Sequence, residues 1–234
     1  MTRQLPDLDE QDFYRQALGD SADAWTPWLT PRCLEALWRH YQELRRWNRL
    51  VSLVGPGTAE EVWHRHYAES LAAVPWLAEL LVAVPSESPP TVLDLGSGAG
   101  FPGFVVAAAL PGLAVTLVET KEKKWAFLEH AARRSGVACR ALRCRLAVPL
   151  PAAASGAGLP ERIDVLTVRA LRLPDPLLAA LRQRMPAGGR LLRWATGDAA
   201  DLAAGAPAGF LPGRVLALAG GDRRCLVESV AIGT

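Results

Sequence analysis

The sequence predicts an α/β fold in which a doubly wound, mostly parallel sheet of seven strands follows an N-terminal helical cap. Up to about residue 83, apolar residues recur at three- and four-residue spacing, as on one face of a helix. After the linker Val84–Pro90, short apolar runs alternate with helix-length segments, which is typical of βαβ units. The last two runs have no such segment between them, and this predicts an antiparallel hairpin at an edge. We therefore expect a cap over residues 1–84 and an α/β domain over residues 85–234.

The main helix of the cap is predicted to begin at Pro31. Thr30 fits an N-cap, and a proline is well tolerated at the first helical position. A further helix is expected from Ala59 to about Leu71, after a Gly-Pro-Gly turn.

The seven strands are predicted at the apolar runs TVLDL, AVTLVE, ACRALRC, RIDVLTV, GRLLRWA, GRVLALA and CLVESVAI. Helices are expected from Pro102 to Leu110, through KKWAFLEHAARR, and around Asp175 to Gln183. The Ala/Pro/Gly-rich stretch that follows the third strand, AVPLPAAASGAGLPE, is predicted to be an irregular surface insertion.

Composition limits the functional classes only loosely. The chain has 234 residues, half of them apolar, and a formal charge of +2, so a nucleic-acid partner is permitted but not required. The polar N-terminus argues against a secretory signal, and no apolar run approaches a membrane span, so we expect a cytoplasmic protein without a membrane partner. The four cysteines have no Cys-x-x-Cys spacing, and we predict no metal site.

The stretch DLGSGAGFPG, from Asp94 to Gly103, is the strongest indication of a ligand. A glycine-rich turn after a central parallel strand lets the backbone approach a nucleotide-like ligand. The spacing of Gly98, Gly100 and Gly103, with Glu119 beyond them, is compatible with a dinucleotide site. Glu119 is placed to accept hydrogen bonds from ribose hydroxyls in either kind of cofactor.

Asp94 is the residue that favours a different cofactor. A carboxylate beside a pyrophosphate would be repelled, whereas a carboxylate facing an ammonium or sulfonium is attracted. S-adenosylmethionine (SAM) carries both cations and no phosphate. The residues therefore favour SAM, with Asp94, Gly96, Gly98 and Glu119 as cofactor-binding candidates.

Together with RWNRLVSL, RHYAES, LVETKEKKWAFLEH and VRA, the glycine loop resembles the RsmG/GidB family of bacterial 16S rRNA guanine-N7 methyltransferases. The resemblance extends from about residue 34 to residue 226. It implies a class I SAM-dependent, Rossmann-like fold and methylation of N7 of a guanine in the small-subunit 16S rRNA, at family position 527 in the 530 loop. It also implies cofactor contacts by Gly96, Phe101, Leu146, Ala147 and Arg169. We expect Arg169 to be the catalytic residue, and the protein to be a monomer.

Several residues depart from the usual family pattern. The residues with altered polarity or side chain are Ser52, Val54, Leu146, Ala147, Val168 and Thr196, and Glu69 and Glu119 stand where aspartate is usual. These departures leave open the hypothesis of an RNA- or ribosome-binding relative with impaired catalysis. The spacing of Gly98, Gly100 and Gly103 leaves open a further one, an NAD(P)-dependent oxidoreductase, which Asp94 opposes. His66 is expected either to face the site or to pack as a hydrogen-bonded core residue.

Overall fold

The computed structural model describes residues 4–19, 23–55, 58, 61–83, 88–150, 158–219 and 223–233. Within them the helices are α1 Glu10–Leu18, α2 Pro31–Asn48, a π-helix Trp63–Ala68 that continues into α3 Glu69–Leu71, α4 Val74–Ala83, α5 Gly103–Ala109, α6 Glu122–Ser135, α7 Asp175–Arg182 and α8 Ala199–Ala204. The strands are β1 Thr91–Leu95, β2 Ala114–Glu119, β3 Cys139–Arg143, β4 Val165–Arg169, β5 Arg190–Thr196, β6 Phe210–Ala217 and β7 Arg224–Ala231.

The strands form one sheet in the order β3-β2-β1-β4-β5-β7-β6. The first five are parallel, and β7 runs antiparallel to both β5 and β6. This confirms the predicted mostly parallel sheet of seven strands with an antiparallel hairpin at its edge. The chain leaves β1 toward β2 on one side and later returns to β4 on the other, so the topological switch point lies between β1 and β4.

Alternate residues of the strands bury against two different helical layers. On β1, Val92 belongs to the cluster that includes α5, α6 and the N-terminal helices, whereas Leu93 and Leu95 belong to the cluster around α7. This alternation is the pleat of a strand that is covered on both faces. The N-terminal helices thus add a layer outside α5 and α6, and they share a core cluster with one face of the sheet.

Three sequence predictions need qualification. Pro102 is predicted in the first turn of α5, but it occupies the N-cap position, and the helix begins at Gly103. Helix α8 is absent from the sequence prediction, because its six residues are too few to show a helical period. Ala59, the predicted start of the cap's second helix, lies outside the described residues, and the segment from Trp63 is a π-helix rather than a regular α-helix.

The predicted start of α2 is confirmed, since the Thr30 side chain accepts a hydrogen bond from the Cys33 amide and Pro31 is the first helical residue. The domain boundary predicted between residues 84 and 85 falls outside the described residues, and the division into two domains stays a prediction.

His40 connects α2 to the glycine loop. Its imidazole is fully buried and stacks on Phe104 at a centroid distance of 4.3 Å. Nε2 lies 2.9 Å from the Ala99 carbonyl oxygen, and Nδ1 lies 2.7 Å from the Tyr67 hydroxyl. Because a carbonyl can only accept, Nε2 carries the proton and Nδ1 accepts from Tyr67. Burial lowers the pKa of His40 from 6.5 to about 4.

This lowered pKa predicts a loss of stability in mild acid. Between about pH 6.5 and pH 4, His40 is protonated in the unfolded chain but stays neutral in the folded chain. The free energy of unfolding should therefore decrease as the pH is lowered through this window, by about 1.4 kcal/mol per pH unit for this one group. We expect His40→Gln to be less stable at pH 7 and to have a shallower dependence on pH, as measured by urea unfolding. The exposed His64 provides the control, and a His40→Gln slope equal to that of His64→Gln would contradict the assignment.

Candidate functional site at the carboxyl ends of the strands

A cavity of about 530 Å³ opens where the carboxyl ends of β1, β2, β3 and β4 meet. This is the edge at which doubly wound sheets bind their ligands, and the volume is within the usual range for small-molecule pockets. The cap contributes two residues to its wall, Leu53 and His66. Of the predicted site residues, those that line the cavity are Gly96, Gly98, Phe101, Glu119, Leu146 and Arg169.

The glycine loop presents backbone to the cavity. Gly96, Gly98 and Gly100 have φ values of 70°, 57° and 91°, in the left-handed region that side chains disfavour. The Gly96 and Ser97 amides donate to the Val118 carbonyl oxygen at 2.9 and 3.1 Å, which joins the turn to the end of β2. The loop therefore leaves room for a ligand to approach the main chain.

Asp94 does not line the cavity, and the expectation that its carboxylate faces a ligand cation is not met. Its side chain is fully buried. Oδ1 accepts from the Thr167 hydroxyl at 2.7 Å, and Oδ2 accepts from the Gly103 amide at 3.2 Å. Burial raises the pKa of Asp94, and hydrogen bonds from Ser97, Thr167 and Gly103 oppose the rise. On β1 the side chain points to the α5 face of the sheet, where its hydrogen bond to the Gly103 amide fixes the end of the glycine loop.

Glu119 is arranged to fix the loop and still face the cavity. Oε1 accepts from the Thr120 amide at 2.7 Å and the Lys121 amide at 2.8 Å. Oε2 accepts from the Gly98 amide at 3.1 Å and has no further hydrogen bond in the described part of the chain. A carboxylate oxygen can accept more than one donor, so Oε2 is the atom available to a ligand hydroxyl.

Arg169 ends β4 and is anchored at one side of its guanidinium. Nη2 donates to Glu69 Oε2 at 2.7 Å and also to the Arg65 carbonyl oxygen. Nη1 is buried and has no hydrogen-bond partner among the described residues. A buried, unsatisfied guanidinium nitrogen in a cavity wall is suited to an acceptor on a ligand. The following residue, Ala170, has φ 52°, an uncommon conformation for a residue other than glycine.

His66 faces the site, which is one of the two predicted alternatives. It stacks on Phe101 with a centroid distance of 5.0 Å and an interplanar angle of 25°. Its Nε2 lies 3.0 Å from the Thr58 hydroxyl. Burial, reinforced by Arg169 and Arg65, lowers the pKa of His66 to about 3, so the ring is neutral at physiological pH.

The comparisons with known proteins identify the family. The family model described as rRNA small subunit methyltransferase G matches residues 33–195, which is more than half of the chain. The chain belongs to the rRNA small subunit methyltransferase G family. It is 40% identical over 163 residues to the family member of Myxococcus xanthus, covering 67% of this chain and 66% of that protein. It is 34% identical over 166 residues to the Jannaschia member, covering 68% and 71%. Against the member of Methylorubrum extorquens strain PA1, 45% identity extends over only 42% of that protein.

Solved structures show the same fold at low sequence identity. The CurJ carbon methyltransferase matches with a TM-score of 0.57 at 13% identity, over 97% of this chain and 72% of that one. A mutant of MtNAS, solved in complex with S-adenosylmethionine, matches with a TM-score of 0.53 at 15% identity, over 98% and 86%. The likeness supports the α/β fold described above.

The positions that depart from the family's usual residues lie mostly outside the cavity wall. Among the six with altered polarity or side chain, Leu146 lines the cavity, whereas Ala147 is exposed beside it. Val168 is buried in the cluster around α7, on the opposite side of β4 from the helical cap. Val54 uses its amide, which donates to Asn48 Oδ1 at 2.9 Å, so the bond does not depend on the side chain. Ser52 lies in a shallower depression next to the cavity, and Thr196 ends β5.

Four cations that the family resemblance does not assign to the site line the cavity. Lys121 and Lys124 begin α6, Arg145 follows β3, and Arg172 follows β4, and all four line the cavity. None of them has an ion-pair partner among the residues that the structure describes. Arg145 and Arg172 could have been found from their places just after the carboxyl ends of parallel strands. We call these four residues the cationic rim.

The space around Gly103 generates a prediction. A Cβ atom at this residue would lie 2.4 Å from Leu117 Cδ2, 2.7 Å from Asp94 Cβ and 2.8 Å from Asp94 Oδ2. Gly103→Ala must therefore push α5 away from β1, at a cost of about 1–3 kcal/mol in the free energy of unfolding. Gly55→Ala is the matched control, because a Cβ there meets no atom of the described residues within 4 Å. Equal urea midpoints for the two variants would contradict the close packing of α5 on β1.

Proposed function

We propose that this protein is a SAM-dependent methyltransferase that modifies N7 of a guanine in the 16S rRNA of the small ribosomal subunit. The observation that carries the proposal is the convergence of three separate family motifs on one cavity. Gly96 and Phe101 come from the glycine loop, His66 from the cap and Arg169 from the end of β4, and all four line it. The target is the guanine at family position 527, and the protein acts in the cytoplasm as a monomer.

The residues present fit the methyl donor. Glu119 Oε2 is placed for the ribose hydroxyls, the loop backbone for the amino-acid portion, and Leu146 for an apolar contact with the adenine. Arg169 supplies the buried nitrogen that has no hydrogen-bond partner in the described residues. When bound, SAM supplies an electrophilic methyl group on a sulfonium. Asp94 contributes indirectly, because it holds the loop in the conformation that receives the cofactor.

The chemistry of guanine N7 agrees with the groups found in the site. N7 carries a lone pair in the plane of the ring and needs no proton removal before it attacks. His66, with its pKa near 3, is neutral, and its Nε2 is engaged by Thr58. Both carboxylate oxygens of Glu119 accept hydrogen bonds from backbone amides, and the remaining capacity of Oε2 is assigned to the ribose hydroxyls of the cofactor rather than to the guanine. The residues therefore act by positioning the base and cofactor and by excluding water, rather than by general base catalysis.

The cationic rim supports an anionic partner. SAM has a net positive charge, from one carboxylate, one ammonium and one sulfonium, so four cations at the mouth do not favour it. Phosphates of an RNA strand crossing the opening fit them instead. Lys123 lies beside the rim, in the depression that it shares with Ser52, Lys121 and Lys124. Glu122 also lines this depression, so three lysines and one carboxylate leave its surface positive over the start of α6.

The proposed function predicts which cofactor binds. SAM or S-adenosylhomocysteine at about a hundred times its dissociation constant should stabilise the protein by about 2.7 kcal/mol in a thermal-shift titration, whereas NAD should not. Methyl transfer is then measured on small-subunit rRNA and on the same RNA with 7-deazaguanine at the target, which has no N7 to accept the group. We expect transfer only to the first RNA. Stabilisation by NAD alone would favour the oxidoreductase hypothesis, and cofactor binding without transfer would favour the impaired relative.

A second prediction concerns the rim. Lys124→Gln should weaken binding to RNA and reduce the slope of log affinity against log salt by about 0.7–0.9, because one lysine no longer neutralises a phosphate. Affinity for S-adenosylhomocysteine should not fall, since this ligand has no net charge and its carboxylate is assigned to Arg169 rather than to Lys124. The control is Arg133→Gln, on the same helix α6 but near its other end and away from the cavity. Identical salt slopes in the two variants would remove Lys124 from the RNA surface.

A further inference from the structure

The carboxylate of Glu69 joins three parts of the fold directly behind the cavity. It is 4% exposed. Oε2 lies 2.7 Å from Arg169 Nη2 at the end of β4, and Oε1 lies 2.7 Å from Arg224 Nε at the start of β7. Arg65 Nε, on the same helical segment, lies 4.0 Å away. One buried anion is therefore surrounded by three guanidinium groups.

Glu69 and the backbone of Arg65 bind the same nitrogen of Arg169. In a regular α-helix the Glu69 amide would donate to the Arg65 carbonyl oxygen. Here the amide donates to the His66 carbonyl oxygen, and the Arg65 carbonyl oxygen accepts from Arg169 Nη2. Nη2 thus has a carboxylate and a carbonyl as acceptors on one segment. Single-turn π-helices occur frequently at functional sites.

The two acceptors of Nη2 also fix the orientation of Nη1, the other terminal nitrogen of the Arg169 guanidinium. The group is planar and rigid, so anchoring Nη2 at two acceptors also sets the direction of Nη1. Nη1 is buried and has no hydrogen-bond partner in the described part of the chain, and Arg169 is one of the residues that line the cavity. The acceptor that a guanidinium prefers is a carboxylate. S-adenosylmethionine and its product S-adenosylhomocysteine both carry one, on the amino-acid portion.

We propose that Glu69 is a positioning residue, which holds Arg169 so that Nη1 presents to the carboxylate of the bound cofactor. The proposal rests on the proposed function for the identity of the cofactor. Glu69 itself does not line the cavity. Its effect on the ligand passes through Arg169, and this is what separates it from a residue that only stabilises the fold.

The test is a double-mutant cycle on ligand binding, measured by calorimetry with S-adenosylhomocysteine. Glu69→Gln keeps the shape and removes the charge, and Arg169→Ala removes the group it holds. We expect each to weaken binding by about tenfold or more, and the double variant to bind no more weakly than Arg169→Ala alone. Methylthioadenosine, which lacks the amino-acid portion, should bind all four proteins with similar affinity. Losses that multiply in the double variant, or equal losses for methylthioadenosine, would overturn the proposal.

Two further variants separate positioning from stability. Glu228→Gln is the matched control, because Glu228 is also a buried carboxylate between two arginines, 2.8 Å from Arg214 and 3.5 Å from Arg190, and lies away from the cavity. It should lower the melting temperature without changing the affinity for S-adenosylhomocysteine. Glu69→Asp keeps the charge and should restore most of the binding that Glu69→Gln loses. Weakened binding in Glu228→Gln equal to that in Glu69→Gln would show a purely structural role.

Binding and turnover also distinguish this proposal from the proposed function. If the wild type binds S-adenosylhomocysteine but transfers no methyl group to RNA, the function fails and the cycle still tests Glu69. If methyl transfer is observed and the cycle is additive, the function stands and the positioning role is wrong.

Discussion

The buried carboxylate of Asp94 is the interaction on which the site depends. It joins the central strand β1 to its neighbour β4 through Thr167, and to the first amide of α5 through Gly103. A helix can approach a strand this closely only where the helix has no side chain, and Gly103 meets that condition. The path of the glycine loop between the end of β1 and the start of α5 follows from these two anchors. The same buried charge would be costly without its donors, so the loop and the carboxylate stabilise each other.

The helical cap completes the cavity through polar contacts as well as apolar packing. His40 reaches the Ala99 carbonyl oxygen inside the glycine loop, and Glu69 reaches Arg169 at the end of β4. Both residues are buried, so their hydrogen bonds restrict the distance and direction between the cap and the residues they contact. The ring contacts of Phe13 lie within the cap, whereas Tyr67 also packs edge-on against Phe101 of the glycine loop at a centroid distance of 5.0 Å. The polar contacts of His40 and Glu69 add fixed directions to this packing.

The fold was largely predictable, because the spacing of apolar residues changes from a helical period in the cap to short apolar runs that alternate with helices after the linker. All seven strands lie at predicted apolar runs, and AVTLVE coincides with β2. The site was predictable down to the loop and the strand ends. What the sequence could not show is where a carboxylate points. Asp94 precedes Gly96 by two residues, and only the pleat of β1 decides that its side chain turns to α5 rather than to the cavity. The π-helix could not be predicted either, because the spacing of apolar residues does not show which carbonyl oxygen each backbone amide donates to.

The position of Asp94 outside the cavity changes the electrostatic argument for the cofactor. The cationic rim and Arg169 make the wall positive, and Glu119 is the one acidic residue among the lining residues described. A cationic methyl donor bound in such a place is stabilised mainly by backbone and by its own carboxylate, and its sulfonium lies in a field that disfavours it. In the proposed reaction, transfer of the methyl group moves the positive charge from the sulfonium to the methylated guanine, and it does not leave the site. The RNA phosphates proposed to lie at the rim offset the positive wall, so the RNA itself supplies the negative charge that the lining residues lack.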